Sequence, residues 1–172
     1  MAAKKTGKRA GGLGKDGGDA IEMLTDDHRR VDELFEEYES SKDEAEDEAK
    51  QALVARICLE LTVHATVEEQ VFYPAAREAI DPERSDMLDE AEVEHASVKD
   101  LIEQLSGMSP GDVLYDAKVK VLGEYVKHHV EEEEGEIFPA MRDSEIDLEA
   151  LGSEIETRKE ELREELEAEF AL

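Results

Sequence analysis

Tryptophan is absent from this chain, cysteine occurs once, and proline only four times in 172 residues. Each scarcity excludes something. The single thiol, Cys58, rules out an internal disulfide and any cysteine-based zinc or iron–sulfur site. It lies in an apolar, helix-like run, where a buried inert thiol is expected rather than a nucleophile. No apolar run approaches the length of a membrane span, and the N-terminus lacks the apolar segment of a secretory signal, so the expected location is cytoplasmic. Positive charge is also scarce: 20 Lys and Arg stand against 48 Asp and Glu, a net charge of −28. Such a surface repels phosphate, which argues against nucleic acid as a partner of the folded part. No Ser-His-Asp set, phosphate-binding glycine loop or dinucleotide fingerprint is found.

What remains is helix-forming. Glu, Ala, Leu, Lys and Arg dominate, and the apolar residues step by three and four. Residues 1–18 carry no such pattern and are expected to be a disordered basic tail, a solvated leader rather than a tether. From Asp19, a plausible N-cap, a first seam runs through Ile21, Leu24, His28, Val31, Phe35 and Tyr38. A second takes Val54, Ile57, Leu61, His64, Glu68, Val71 and Ala75, with Pro74 placed to kink or close it. A third takes Leu88, Ala91, His95, Val98, Ile102 and Leu105. The turn and helix start SPGD at 109–112 leads to a fourth: Val119, Leu122, Val126, His129, Glu133, Glu136 and Ala140, with Pro139 near its end.

These patterns predict an all-α fold, an antiparallel up-down-up-down four-helix bundle over residues 19–143. A further, strongly charged C-terminal helix is expected within 144–172, its pattern spanning roughly 147–170. It would cover one edge of the bundle, extend as a surface for a protein partner or a second copy, or simply be a salt-bridged exposed helix.

The two halves repeat. HATVEEQVFYP from His64 matches HVEEEEGEIFP from His129 at an offset of 65, and the segments around His28 and His95 match at an offset of 67. Each hairpin thus carries one histidine on its first helix and an HxxxE on its second. Residues i and i+4 share a helix face, so His64 projects with Glu68 and His129 with Glu133. All six groups, His28, His64, Glu68, His95, His129 and Glu133, occupy positions where the seam calls for apolar side chains. Six unpartnered ionisable groups in a core would be severely unfavourable, and a pair of cations held by imidazoles and bridging carboxylates resolves the conflict. Taken singly, a seam histidine is more often a hydrogen-bonded core residue, and an HxxxE on a Glu-rich helix arises by chance. The repeated set is what carries the signal. His128 with Glu132 is a second HxxxE, but it falls off the seam, and with Glu131 and Glu134 it is expected on the solvated face.

At these residues the chain resembles the hemerythrin-like, or HHE cation-binding, family, most clearly in DAIEMLTDDHRRVDELF around His28. The resemblance implies a four-helix bundle enclosing a non-heme di-iron centre. It implies terminal nitrogen ligands at His28, His64, His95 and His129, with Glu68 and Glu133 bridging two nearly equivalent irons that also share an oxo or hydroxo group. Where oxygen-carrying members have a further histidine four residues after His95, this chain has Lys99, and HxxxE replaces their bridging aspartate. Tyr125 and Glu60, one turn before His129 and His64, are candidate outer partners or extra oxygen ligands, ordinary helix-face positions being the simpler reading.

The expected function is therefore binding of O2, NO or a peroxide for sensing, storage or protection against oxidative or nitrosative stress. A di-iron enzyme with peroxidase-, catalase- or NO-reductase-like turnover is the first alternative, with Tyr125 as the visible proton donor. A structural or interaction module loaded with zinc or manganese is the second.

Overall fold

A computed structural model describes residues 18–166 and Phe170. Of the expected basic tail, residues 1–18, all but Gly18 lie outside the described residues. Among those described there is no strand, and no helix is long and apolar enough to cross a membrane. Helix α1 (Ala20–Ser41) begins at a reciprocal cap: the Asp19 carboxylate accepts from the Ile21 and Glu22 N–H groups at 2.9 and 3.0 Å, and Glu22 accepts from the Asp19 N–H at 3.2 Å. Such a cap contributes about 1 kcal/mol. Helix α2 (Asp47–Val67) returns alongside α1, continues through a π-helical turn (Glu68–Phe72), and ends as α3 (Tyr73–Ala79). Helix α4 (Asp86–Ser106) and α5 (Tyr115–Glu132) form the second hairpin; α5 likewise passes through a π-helical turn (Glu133–Ile137) into α6 (Phe138–Asp143). Helix α1 packs on α2 and α5, and α4 packs on α5 and α2, which closes the antiparallel up-down-up-down ring.

Two details differ from the sequence reading. Pro74 and Pro139 neither close nor break their helices; each sits just after a π turn, whose extra residue accommodates a ring without an N–H. That extra residue shifts the seam: Phe72 and Tyr73 are buried in place of Val71 and Ala75, and Ile137 and Phe138 in place of the exposed Glu136. The second difference is the start of α5, which comes at Tyr115 rather than within SPGD. Asp112 uses its carboxylate on the Ser109 N–H at 2.7 Å and closes its own turn, and Leu114 then takes a left-handed φ of 75° before the helix begins.

The apolar interior is divided in two. One cluster holds Leu24, Val67, Phe72, Leu88, Ile137 and Met141; the other holds Val31, Tyr38, Ile57, Val98, Ile102 and Leu122. The six ionisable seam residues lie between them, one polar layer across all four helices.

Helix α7 (Leu148–Leu166) lies against α1, α2 and the first π turn, and buries Leu151, Ile155 and Leu162 in the first cluster. Its apolar face is thus used within the chain. Gly152 permits the approach: a Cβ there would stand 2.9 Å from the Gly18 carbonyl oxygen, closer than packed atoms tolerate. Polar contacts fasten the same helix, with Arg163 on Glu60 at 2.7 Å and Arg158 on the Gln70 side-chain oxygen at 2.9 Å.

Candidate metal centre

Helical phase brings His28 from α1, His64 from α2, His95 from α4 and His129 from α5 to one level of the bundle, each less than a tenth exposed. Their Nε2 atoms converge in two pairs: His28 and His64 are 3.2 Å apart, His95 and His129 3.1 Å. Glu68 and Glu133, both fully buried, stand between the pairs. Glu68 reaches His64 with one oxygen at 3.0 Å and His95 with the other at 3.3 Å. Glu133 Oε2 lies 3.2 Å from His28 and 3.8 Å from His129. Each carboxylate therefore spans both histidine pairs.

The donors form two overlapping groups suited to holding a cation: His28, His64, Glu68 and Glu133, and Glu68, His95 and His129, with the ligand atoms of each within 4.8 Å of one another. Both Glu68 oxygens and Glu133 Oε2 are buried without a well-formed hydrogen bond. Orphaned carboxylate oxygens are costly in a core, and nitrogens 3.1–3.2 Å apart suit an ion about 2 Å from each. The residues fit a metal.

Every Nδ1 faces a carboxylate: His28 on Glu134 at 2.8 Å, His64 on Asp27 at 3.3 Å, His95 on Glu69 at 3.0 Å and His129 on Glu94 at 2.7 Å. A carboxylate on Nδ1–H fixes the ring's orientation and leaves Nε2 to point inward with its lone pair. The sequence reading missed all four acceptors. Glu134 in particular was placed on the solvated face; it is partly exposed, yet its carboxylate turns back to His28. Lys99, four residues after His95, bonds both Glu69 oxygens at 2.6 and 2.7 Å and holds that carboxylate on His95.

Aromatic rings cross between the hairpins. Phe138 stacks on His28 at a centroid distance of 5.6 Å, and Tyr73 stacks on His95 at 5.5 Å. Only Tyr73 brings a hydroxyl, which donates to Glu133 at 3.2 Å and lies 3.4 Å from His95 Nε2. The two halves are not equivalent here: both carboxylates group with His28 and His64, and only Glu68 with His95 and His129. Tyr125, in contrast, is 49% exposed, and Glu60 is turned to Arg163 and Arg30. The tyrosine hydroxyl beside the inward donors is that of Tyr73, not Tyr125.

Burial alone would push the His64 imidazole down, but Glu68 and Asp27 outweigh it and hold its pKa well above the ordinary value. At His95 the same opposition, burial against Glu68 and Glu69, ends with the pKa raised to about 9. Burial would raise Glu68, yet His64 and His95 hold it well below the usual carboxylate range. Protons on the rings thus balance the carboxylate, a role that a bound metal takes over. The Tyr73 phenol is raised by burial and by Glu68 and Glu133, so it keeps its proton and donates. Cys58, buried and pushed up to about 12, is an inert thiol.

Comparison with known proteins agrees with this geometry: the hemerythrin HHE cation binding domain matches residues 19–141. The chain belongs to the hemerythrin HHE family. As a member of it, the domain is a metal-binding helical bundle. It is similar to a crystallised hemerythrin HHE cation binding domain-containing protein from Mycobacterium kansasii, with a TM-score of 0.71 and 25% identity over 86% of this chain and 89% of that one. It is also 32% identical over 127 residues to a DNA nickase from Nostoc sp., covering 73% of this chain. The chain spans about a third of that relative's length, 33%.

Proposed function

We propose that this hemerythrin-family domain holds two iron ions, His28 and His64 supplying nitrogens to one and His95 and His129 to the other. Glu68 and Glu133 are shared between them. The domain then binds O2, NO or a peroxide for sensing, storage or protection against oxidative or nitrosative stress. The observation that carries this reading is the convergence of four Nε2 atoms on two buried carboxylates, three of whose oxygens lack a hydrogen-bond partner. Imidazole and carboxylate together suit iron, with zinc and manganese the competing ions. Iron bound there would supply electrons and positions open to a small ligand.

The chain's own residues favour a small one. A chamber of about 20 Å³, lined by His28, Val31, His64, His95, Val126 and His129, adjoins the cluster. That is room for little more than one water-sized molecule. Outside it, a groove of about 610 Å³ between α1 and α5 shares His28, Val31, Val126 and Val130 with the chamber and gives a route from solvent.

A second reading, turnover of peroxide or NO, is favoured by Tyr73, whose hydroxyl lies within reach of His95 Nε2 and Glu133. Cleavage of DNA, which the Nostoc relative's name states, is not carried over, since a net charge of −28 repels the phosphate backbone. The test mixes reduced, iron-loaded protein with O2, NO and H2O2 in turn. A stoichiometric spectral change supports binding, and sustained consumption supports the second reading. No response to any of the three would contradict both.

A further inference from the structure

Two of the four histidine–carboxylate pairs continue outward to a lysine. In one, His95 bonds Glu69 and Glu69 takes Lys99, a half-exposed side chain on α4 four residues from its histidine. In the other, His64 bonds Asp27, and both Asp27 oxygens take Lys159 Nζ at 2.5 and 2.6 Å. Lys159 differs in origin. It is on α7, 132 residues from Asp27 in sequence and beyond the matched family segment 19–141. Its side chain is 13% exposed and that of Asp27 10%, so this ion pair is mostly shielded from solvent, unlike the Lys99 pair.

We infer that Lys159 is a positioning residue of the metal centre, clamping Asp27 so that its carboxylate holds the His64 ring with Nε2 turned inward. The inference rests on the metal reading and deepens it: α7 becomes part of the site's support rather than a cover on the bundle. Geometry gives the reason. Asp27 sits at 3.3 Å from His64 Nδ1, the longest of the four such contacts, so its placement depends most on what else holds it. Two short bonds from one ammonium hold both oxygens of the carboxylate. Outer partners of this kind typically change metal affinity about 10–100-fold when removed.

A neighbouring contact supplies the control. Arg163 fastens the same helix to α2 through Glu60, whose carboxylate pairs with Arg163 and Arg30 rather than with any of the six inward residues. Loss of that bond removes a polar fastening of α7 without releasing Asp27.

The experiment loads full-length wild type, Lys159→Met, Lys159→Arg and Arg163→Met with ferrous iron. It then follows metal release to a chelator, the optical spectrum and the reduction potential, with helical content checked by circular dichroism. Lys159→Met is expected to release iron about 10–100-fold faster than wild type, with altered spectrum and potential. Lys159→Arg should recover most of the retention, and Arg163→Met should track wild type in all three readouts. Equal retention by Lys159→Met and wild type would overturn the inference, as would equal losses in Lys159→Met and Arg163→Met. If wild type takes up no metal at all, the metal reading fails first and the inference with it.

Discussion

Glu68 and Glu133 hold the same place in their two hairpins: each is fully buried and each is the first residue of a five-residue π-helical turn. The Tyr73 N–H returns to the Glu68 carbonyl and the Phe138 N–H to that of Glu133, across one residue more than an α-turn holds. The widened turn lets two consecutive residues face inward, so that each glutamate is followed by a ring stacked on a histidine of the opposite hairpin. Ligand, bulge and aromatic cover are one local device used twice.

Glu68→Gln tests the bridging role at that device. The amide keeps the size and loses the charge that the two proposed cations would share. Metal retention against a chelator is expected to fall at least about tenfold, since a direct ligand counts for no less than its outer partners. Retention equal to wild type, measured as metal per chain after dialysis, would remove Glu68 from the centre.

The two adjacent histidines near the end of α5 separate ligand from surface. His129 is buried among the convergent donors, whereas the His128 side chain is 64% exposed and pairs with Glu132. His129→Ala should lose metal and His128→Ala should keep it. Equal losses in the two variants would contradict the assignment.

Without metal, stability should depend on pH through His64 and His95. Both have folded pKa values raised above 6.5, that of His95 to about 9. A raised pKa stabilises the fold fully below 6.5 and loses that contribution as pH rises through the folded value. The metal-free Tm should therefore fall between pH 6.5 and about 9. Metal uptake should show the reverse dependence, strengthening with pH and releasing protons into weakly buffered solution. A metal-free Tm that stays flat or rises over this window would show that the rings are already neutral.

Tyr73→Phe removes a hydroxyl and keeps the ring. One hydrogen bond to Glu133 disappears, at a cost of about 1 kcal/mol, while stacking on His95 remains. The fold and the metal content should persist, and any peroxide or NO turnover should slow. An unchanged rate would exclude the phenol as proton donor.

Much of this was legible in the chain. Apolar spacing marks the four bundle helices because each buries one stripe, and six ionisable residues on those stripes are visible as departures from them. What the spacing hides is anything set by tertiary contact. The π turns leave no mark in a periodicity count, so Val71 and Glu136 read as inward when Phe72 and Ile137 are. Asp27, Glu69, Glu94 and Glu134 are four acidic residues among 48, and only folding shows which of them meet a histidine. Tyr125 and Glu60 were singled out because one turn of helix separates them from a ligand, yet a small rotation is enough to face one to solvent and the other to arginines. Lys159 could not have been found, because its partner lies 132 residues away.

The central claim is a pair of irons between the histidine pairs. It is tested most directly by metal content per chain after anaerobic reconstitution with ferrous iron, with an optical spectrum taken before and after air is admitted. The account predicts about two irons per chain and a new near-ultraviolet charge-transfer band on oxidation. Zinc in place of iron, or no metal retained by a folded protein, would contradict it.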